Sequence, residues 1–181
     1  MAVKRRGPHF KTYTGRIFWP MDPRPDEVSI LDIAHSLSHQ CRFSGHTREF
    51  YSVAEHSVRV SQIVPAPHQL WALLHDAAEA YLLDWPRPLK QSGLMGWLYR
   101  RAEQRLMRVI CQRFGLDTMQ PECVGLADQI LLATEQRDLF GKLPKALNGT
   151  GVPLPDRIVP LSPTEAKAAF LQRFQELTAG R

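Results

Sequence analysis

The stretch HQLWALLHDAAEAYLL, residues 68–83, decides how this chain is read. It is almost wholly apolar, yet it carries His75, Asp76 and Glu79 among leucines and alanines. A helix that is hydrophobic on nearly every side is a buried one, so these polar groups are expected inside the protein. Pro86 and Pro88 close the segment, since proline has neither the donor nor the room to continue a helix. Working outward, SVAEHSVRVSQIV (52–64) predicts a second helix, with Ser52 as cap, an apolar side of Val53, Val60, Ile63 and Val64, and Pro65 as terminator. SILDIAHSLSHQ (29–40) predicts another, with Ile30, Ile33, Ala34 and Leu37 at helical spacing, Ser29 as N-cap and Asp32 in the first turn.

Downstream, residues 92–114 read as a long amphipathic helix with Leu94, Trp97, Leu98, Leu106, Ile110 and Phe114 inward and Gly115 as C-cap. Residues 121–140 read as a buried helix opening with Pro121 at its first position. Residues 141–161 read as loop, and 162–179 as a final helix that opens with a capping box of Ser162 and Glu165 around Pro163. At the other end, Pro8, Pro20, Pro23 and Pro25 break every candidate helix, so residues 1–28 are expected to form an extended arm. With no βαβ alternation, no heptads and no repeat, the expectation is one all-α domain over 1–181, an irregular helical bundle.

Composition agrees with a folded globule, at 181 residues with 44% apolar and 23% charged. No run approaches the roughly 18 apolar residues of a membrane span, and the basic start MAVKRRGPHF has no apolar region behind it. The cytoplasm is the expected compartment, and neither a membrane nor a secretory role is. Cys41, Cys111 and Cys123 form no CxxC pair, which argues against a disulfide framework and a thiolate zinc site. A formal charge of +5 suits an anionic small molecule such as a nucleotide, whereas a nucleic-acid partner is not expected.

Chemistry concentrates on His56 in VAEHSV, His75 and Asp76 in LLHDAAEA, and Asp128 in GLADQILL. A carboxylate flanked by Leu, Ala and Ile costs several kcal/mol to bury unless it is paired, capped or bound to a cation. Two imidazoles and two carboxylates from separate helices make a mixed nitrogen and oxygen donor set suited to Mn, Co, Zn, Fe, Ni or Mg. Neighbours on a helix diverge by about 100°, so His75 and Asp76 can share one ion only if it sits between their faces.

The strings TGRIFWPMDP, DIAHSLSHQCRFSGH, FYSVAEHS, LLHDAAEAYLLDWPRPLK and LADQILLATEQRDLF, spanning roughly residues 12–140, resemble the HD-domain metal-dependent phosphohydrolases. The likeness is to the compact phage and bacterial branch that includes the DatZ-type dATP triphosphohydrolases, and over the motif core to the YfbR-type 5'-deoxynucleotidases. The interval from His56 to His75 is shorter than in the YfbR type and fits the compact branch. The resemblance implies an HD-type bundle with His56, His75, Asp76 and Asp128 as ligands of one divalent metal ion, since the doublet of dinuclear HD enzymes is missing. In HDAAEAYLLDWPRPLK it implies reaction-centre roles for Glu79 and Asp84. Glu79 has the alternative of a supporting partner to His75, and Asp84 of a turn cap.

Arg42 in CRFSGH matches a substrate-holding arginine, and a guanidinium suits bidentate phosphate contact. Phe43 stands where the family has Trp, leaving Trp19 or His46 as candidates for the base or sugar contact. Lys90 is a second phosphate candidate or a solvated charge. Glu135 either hydrogen-bonds a ligand or pairs with Arg137 or another arginine. The implied substrate is a 2'-deoxynucleotide, first dATP cleaved to deoxynucleoside and triphosphate. The alternatives are a deoxynucleoside monophosphate, a cyclic dinucleotide or cyclic nucleotide, or a nucleotide- and metal-binding module without catalysis. Similar families form dimers or larger rings, so a homo-oligomer is expected, with Trp97 or Tyr99 at a subunit contact.

Overall fold

A computed structural model of the chain describes residues 5–140 and 151–180. Among the described residues, eight α-helices follow an N-terminal hairpin: α1 Ile30–His39, α2 Val53–Ile63, α3 Gln69–Leu73, α4 Glu79–Leu82, α5 Arg87–Gln91, α6 Gly93–Phe114, α7 Glu122–Leu139 and α8 Pro163–Thr178. The protein is thus built mainly of helices, as the apolar periodicity predicts. None of those described is long and apolar enough to cross a membrane. All three cysteines are free thiols.

Helix α2 is the structural centre because it feeds two cores. Val53 and Ala54 join Ile33, Leu37, Leu73 and Phe170 in one buried cluster, while Val60 joins Trp71, Val124 and Leu131 in the other. His56 lies between those two contributions on the same helix and is wholly buried. Ser52 caps α2 by accepting a hydrogen bond from the Glu55 amide at 3.1 Å. The capping box of α8 forms as the sequence predicts: the Glu165 amide donates to Ser162 Oγ at 3.3 Å and the Ser162 amide to Glu165 Oε2 at 2.9 Å. Gly115 ends α6 in the left-handed region at φ 65°, a conformation that costs a residue without Cβ nothing.

Four expectations are corrected. Residues 68–83 are not one helix: α3 stops at Leu73, and the next residues run through turns closed by bonds from the Ala77 amide to the Leu74 carbonyl and from the Glu79 amide to the Asp76 carbonyl, each 2.9 Å. The Ala72 carbonyl, which an uninterrupted helix would offer to the Asp76 amide, accepts instead from His75 Nδ1 at 2.7 Å. In α6, Leu94, Trp97 and Leu98 do not face inward. Leu94 is 69% exposed and Trp97 47%, while Leu106 and Ile110 are buried. The outward side belongs to the N-terminal half because α5 packs against the opposite side at Gly96. A Cβ there would lie 2.7 Å from the Leu89 carbonyl.

At α1, Ser29 occupies the cap position but its side chain caps nothing. Asp32 instead accepts from the Thr14 amide at 2.7 Å and the Thr14 hydroxyl at 2.9 Å. That bond reflects the fourth correction, since the arm is a folded part of the domain. β1 Phe10–Lys11 pairs antiparallel with β2 Ile17–Phe18, and Phe18 is fully buried against Tyr81 with ring centroids 4.0 Å apart. Smaller differences are one-residue shifts, with Pro121 capping α7 rather than starting it. Residues 151–161 carry no helix or strand, in keeping with a loop, and 141–150 of the expected loop lie outside the described residues.

Candidate metal centre and its cavity

Four of the singled-out side chains meet in space. His56 comes from α2, His75 and Asp76 from the turn after α3, and Asp128 from α7. Ligand atoms of His56, His75 and Asp76 lie within 4.8 Å of one another, and Asp128 Oδ1 is 3.2 Å from His56 Nε2. His75 Nε2 is 3.2 Å from Asp76 Oδ2 and 3.3 Å from His56 Nε2. The broken helix makes this possible, because a tight turn aims adjacent His75 and Asp76 at one point where a regular helix would splay them.

The outer ring nitrogens are both held by acceptors, His75 Nδ1 by the Ala72 carbonyl and His56 Nδ1 by Glu135 Oε1, each at 2.7 Å. Each Nδ1 therefore carries the proton, and in the neutral rings both Nε2 lone pairs face each other and two carboxylates. Only a cation or an added proton reconciles that arrangement, and the nitrogen and oxygen donors suit a divalent ion. Where a proton takes the place, burial and the Arg42 charge pull His56 down, but Glu135 and Asp128 outweigh them and push it up to about 9. Burial works against ionised Asp76 and Asp128, yet His75 and His56 hold Asp76 well below the ordinary carboxylate range and His56 draws Asp128 down to about 2.

Glu135, fully buried on α7, is the hinge of the arrangement. One carboxylate oxygen holds His56, and the other accepts from Arg42 Nη2 at 3.2 Å. Its arginine partner is thus Arg42 and not Arg137, which pairs with Asp138 at 2.7 Å. Arg42 also lies 3.6 Å from Asp76 Oδ2, and its Nε is buried without a partner. The chain reaches this geometry through left-handed backbone at Phe43 (φ 55°) and Ser44 (φ 52°), a strain of about 1 kcal/mol or more per residue of the kind that concentrates at functional sites. The Arg42 amide donates to the Tyr51 carbonyl at 2.9 Å, tying the turn to the start of α2.

A cavity of about 640 Å³ opens over this cluster and is lined by Arg42, Phe43, His46, Glu79, Asp84 and Lys90, with Asp76 and Asp128. Glu79 is buried. Its Oε1 accepts from Lys90 Nζ at 2.6 Å, and its Oε2 has no hydrogen-bond partner. Lys90 is no solvated charge, since it also reaches Glu103 Oε1 at 2.9 Å and lies over the Tyr99 ring. Burial, with Asp76 and Asp84 nearby, raises the proton affinity of Glu79 against the pull of Lys90, and burial likewise raises that of Asp84. Trp19 lines neither this cavity nor its neighbour. It sits in the N-terminal segment beneath the Arg5 guanidinium, 4.1 Å from the ring centroid, so the base contact expected of it is not made there.

The sequence reading missed Gln40, which braces the wall by donating from Nε2 to the Glu79 carbonyl at 3.0 Å and accepting the Asp84 amide at 3.1 Å. A glutamine at a helix end carries no local signal of such a role. It also missed Arg87, 3.7 Å from Asp128 Oδ2, and the aromatic wall Phe140.

The fold and site together define a helical protein with a cluster of two histidines, two aspartates, a glutamate and an arginine at the floor of a cavity, His56 and Glu135 buried and the others half-buried. No protein-family model matches the chain. It is 41% identical over 171 residues to the uncharacterized protein YfdR of Escherichia coli (strain K12), covering 93% of this chain and 94% of that protein. It is 33% identical over 183 residues to an uncharacterized protein of Rhodobacter capsulatus, covering 91% and 92% respectively. The chain belongs to the family of these proteins.

Proposed function

We propose that this protein is a divalent-metal-dependent phosphohydrolase of the HD type acting on 2'-deoxynucleotides, cleaving the ester between the 5' oxygen and the phosphorus. The observation that carries this reading is the pair of facing Nε2 atoms with two carboxylates, next to an orphaned oxygen of Glu79, at the floor of a nucleotide-sized cavity. His56, His75, Asp76 and Asp128 would hold the ion. When bound, it lowers the pKa of a water and neutralises charge building on the phosphoryl group. Glu79 Oε2 accepts the proton that the attacking water loses. Arg42, braced by Glu135, offers its unpartnered Nε to a phosphate oxygen. Asp84 stands at the cavity wall as a second acid or a sugar contact, and Phe43, Trp85 and Phe140 supply apolar surface for the nucleoside.

The test is product analysis after chelation and repletion with Mn or Co, with dATP, dAMP, ATP and AMP as substrates. Turnover of a deoxynucleotide is expected to vanish with the chelator and return with the metal. Release of deoxyadenosine marks cleavage at the 5' ester. No metal-restored product from either deoxynucleotide overturns the reading.

A pH dependence follows from His56. The ion must displace the proton that the free site holds below about 9, so apparent metal affinity is expected to rise by roughly tenfold per pH unit toward that value and then level off. Titrations of the metal at several pH values read this directly. A flat affinity through the neutral range would mean that His56 Nε2 carries no proton there for the ion to displace.

A further inference from the structure

The chain leaves α4 through a backbone conformation that its own residue does not favour. Leu83 stands at φ 70°, ψ 155°, a region almost confined to glycine, and its side chain is 62% exposed, so packing of that side chain does not hold it there. What holds it is the following peptide group, caught at both ends. The Leu83 carbonyl accepts from the Tyr99 hydroxyl of α6 at 2.5 Å, and the Asp84 amide donates to Oε1 of Gln40, the residue after α1, at 3.1 Å. Resting on the phosphohydrolase reading, we propose that Gln40 and Tyr99 are positioning residues that pin this peptide and so aim the Asp84 carboxylate into the cavity.

A planar peptide held by its oxygen and by its hydrogen loses the rotation that would otherwise swing the next side chain. Asp84 depends on that support. Its carboxylate lines the cavity but makes no hydrogen bond of its own with the described residues, so its direction is set by its backbone. Left-handed backbone at an exposed leucine persists only where the surroundings over-determine it, and here two side chains from separate helices do so.

Both pins are themselves fixed. The Glu79 carbonyl can only accept and the Asp84 amide can only donate, so the Gln40 amide has one orientation, with Nε2 donating to the Glu79 carbonyl and to Ser36 Oγ, each at 3.0 Å. The Gln40 carbonyl accepts the Val53 amide at 3.1 Å, which ties it to the start of α2, the helix of His56. Tyr99 is buried, and its ring stacks on Trp85 with centroids 4.7 Å apart, so one tyrosine holds the residues on either side of Asp84. Gln40 in turn joins the backbones of Glu79 and Asp84, the two residues given the proton-handling roles. Neither Gln40 nor Tyr99 lines the cavity, so their effect runs through those carboxylates and not through contact with substrate.

Tyr99→Phe removes one pin and keeps the ring; Gln40→Met removes the other and keeps the length of the side chain. In the full chain, hydrogen exchange of the Asp84 amide is expected to quicken by about tenfold in each, including Tyr99→Phe, where the acceptor of that amide is untouched. With the metal restored, each variant is expected to lower kcat for the deoxynucleotide by about 10–10²-fold, the cost of a misplaced reacting group, while metal affinity stays the same. In an Asp84→Ala background neither substitution should lower kcat further, because a residue that acts through Asp84 has nothing left to act on, whereas a merely structural loss would add. Unchanged exchange at Asp84 in Tyr99→Phe overturns the pin without reference to turnover. Quickened exchange with unchanged kcat, additive losses in the Asp84→Ala background, or a fall in metal affinity in place of kcat overturns the positioning role and leaves the phosphohydrolase reading intact. Quickened exchange in both variants of a protein that turns over no deoxynucleotide with metal would uphold the pin and remove the hydrolytic reading beneath it.

Discussion

Glu79→Gln is expected to lower kcat of the metal-loaded protein by about 10²–10⁴-fold, the usual contribution of a positioned proton acceptor. The side chain is buried, with one oxygen committed to Lys90 at 2.6 Å and the other without a partner. An unsatisfied buried oxygen costs stability, and such groups persist where a substrate or water completes them. Glutamine keeps the shape and can still accept from Lys90, so the fold should hold, but its amide cannot take a proton. Since burial and the charges of Asp76 and Asp84 raise the proton affinity of Glu79, the acid limb of the wild-type rate profile should lie above the ordinary carboxylate range. The sign follows from its role: a base works only when deprotonated, so the rate falls as the pH drops through that raised value. In Glu79→Gln this limb should disappear. A merely structural role would change the denaturation midpoint and leave the profile's shape alone. An unchanged kcat would remove Glu79 from the chemistry.

Substitution of Glu135 should act on the metal and the fold together. Its carboxylate fixes the His56 tautomer with one oxygen and satisfies buried Arg42 with the other. Loss of such a support behind a histidine ligand costs about 10–100-fold in metal affinity, and this is the expectation for Glu135→Gln, read by titration with Co or Mn. Glu135→Ala also leaves Arg42 with only the longer 3.6 Å contact to Asp76, so the metal-free variant should lose up to about 3 kcal/mol in urea denaturation. The two measurements separate the effects, because glutamine keeps the volume and one hydrogen bond while alanine keeps neither. Unchanged metal affinity in Glu135→Gln would mean that His56 holds its orientation by packing alone.

Much of the helical skeleton is legible in local residues. Ser52, Gly115 and the Ser162–Glu165 pair mark ends that form as their chemistry demands, because a cap is decided by a few neighbouring atoms. The candidate ligands are legible too, since His56, His75, Asp76 and Asp128 are polar side chains in apolar surroundings. Expectations fail where a residue had a distant competitor. Asp32 leaves its own helix cap for Thr14, and Lys90 leaves solvent for Glu79 and Glu103. Leu94 and Trp97 share the helical period of Leu106 and Ile110 but face outward, because periodicity reports a possible buried face and not what is there to cover it.

By itself, then, the sequence determined that the chain is helical, where most helices begin and end, and which buried polar groups needed partners. These follow from caps, proline stops and the cost of burying charge, all local quantities. Only the tertiary structure decided that the His75–Asp76 segment breaks into turns, that Glu135 bridges His56 to Arg42 across α2 and α7, and that Gln40 and Tyr99 converge on one peptide. Those outcomes depend on which distant acceptor captures each donor. The competition between the Asp76 amide and the His75 ring for one carbonyl, or between Arg42 and Arg137 for one carboxylate, is settled only when helices far apart in the chain pack together.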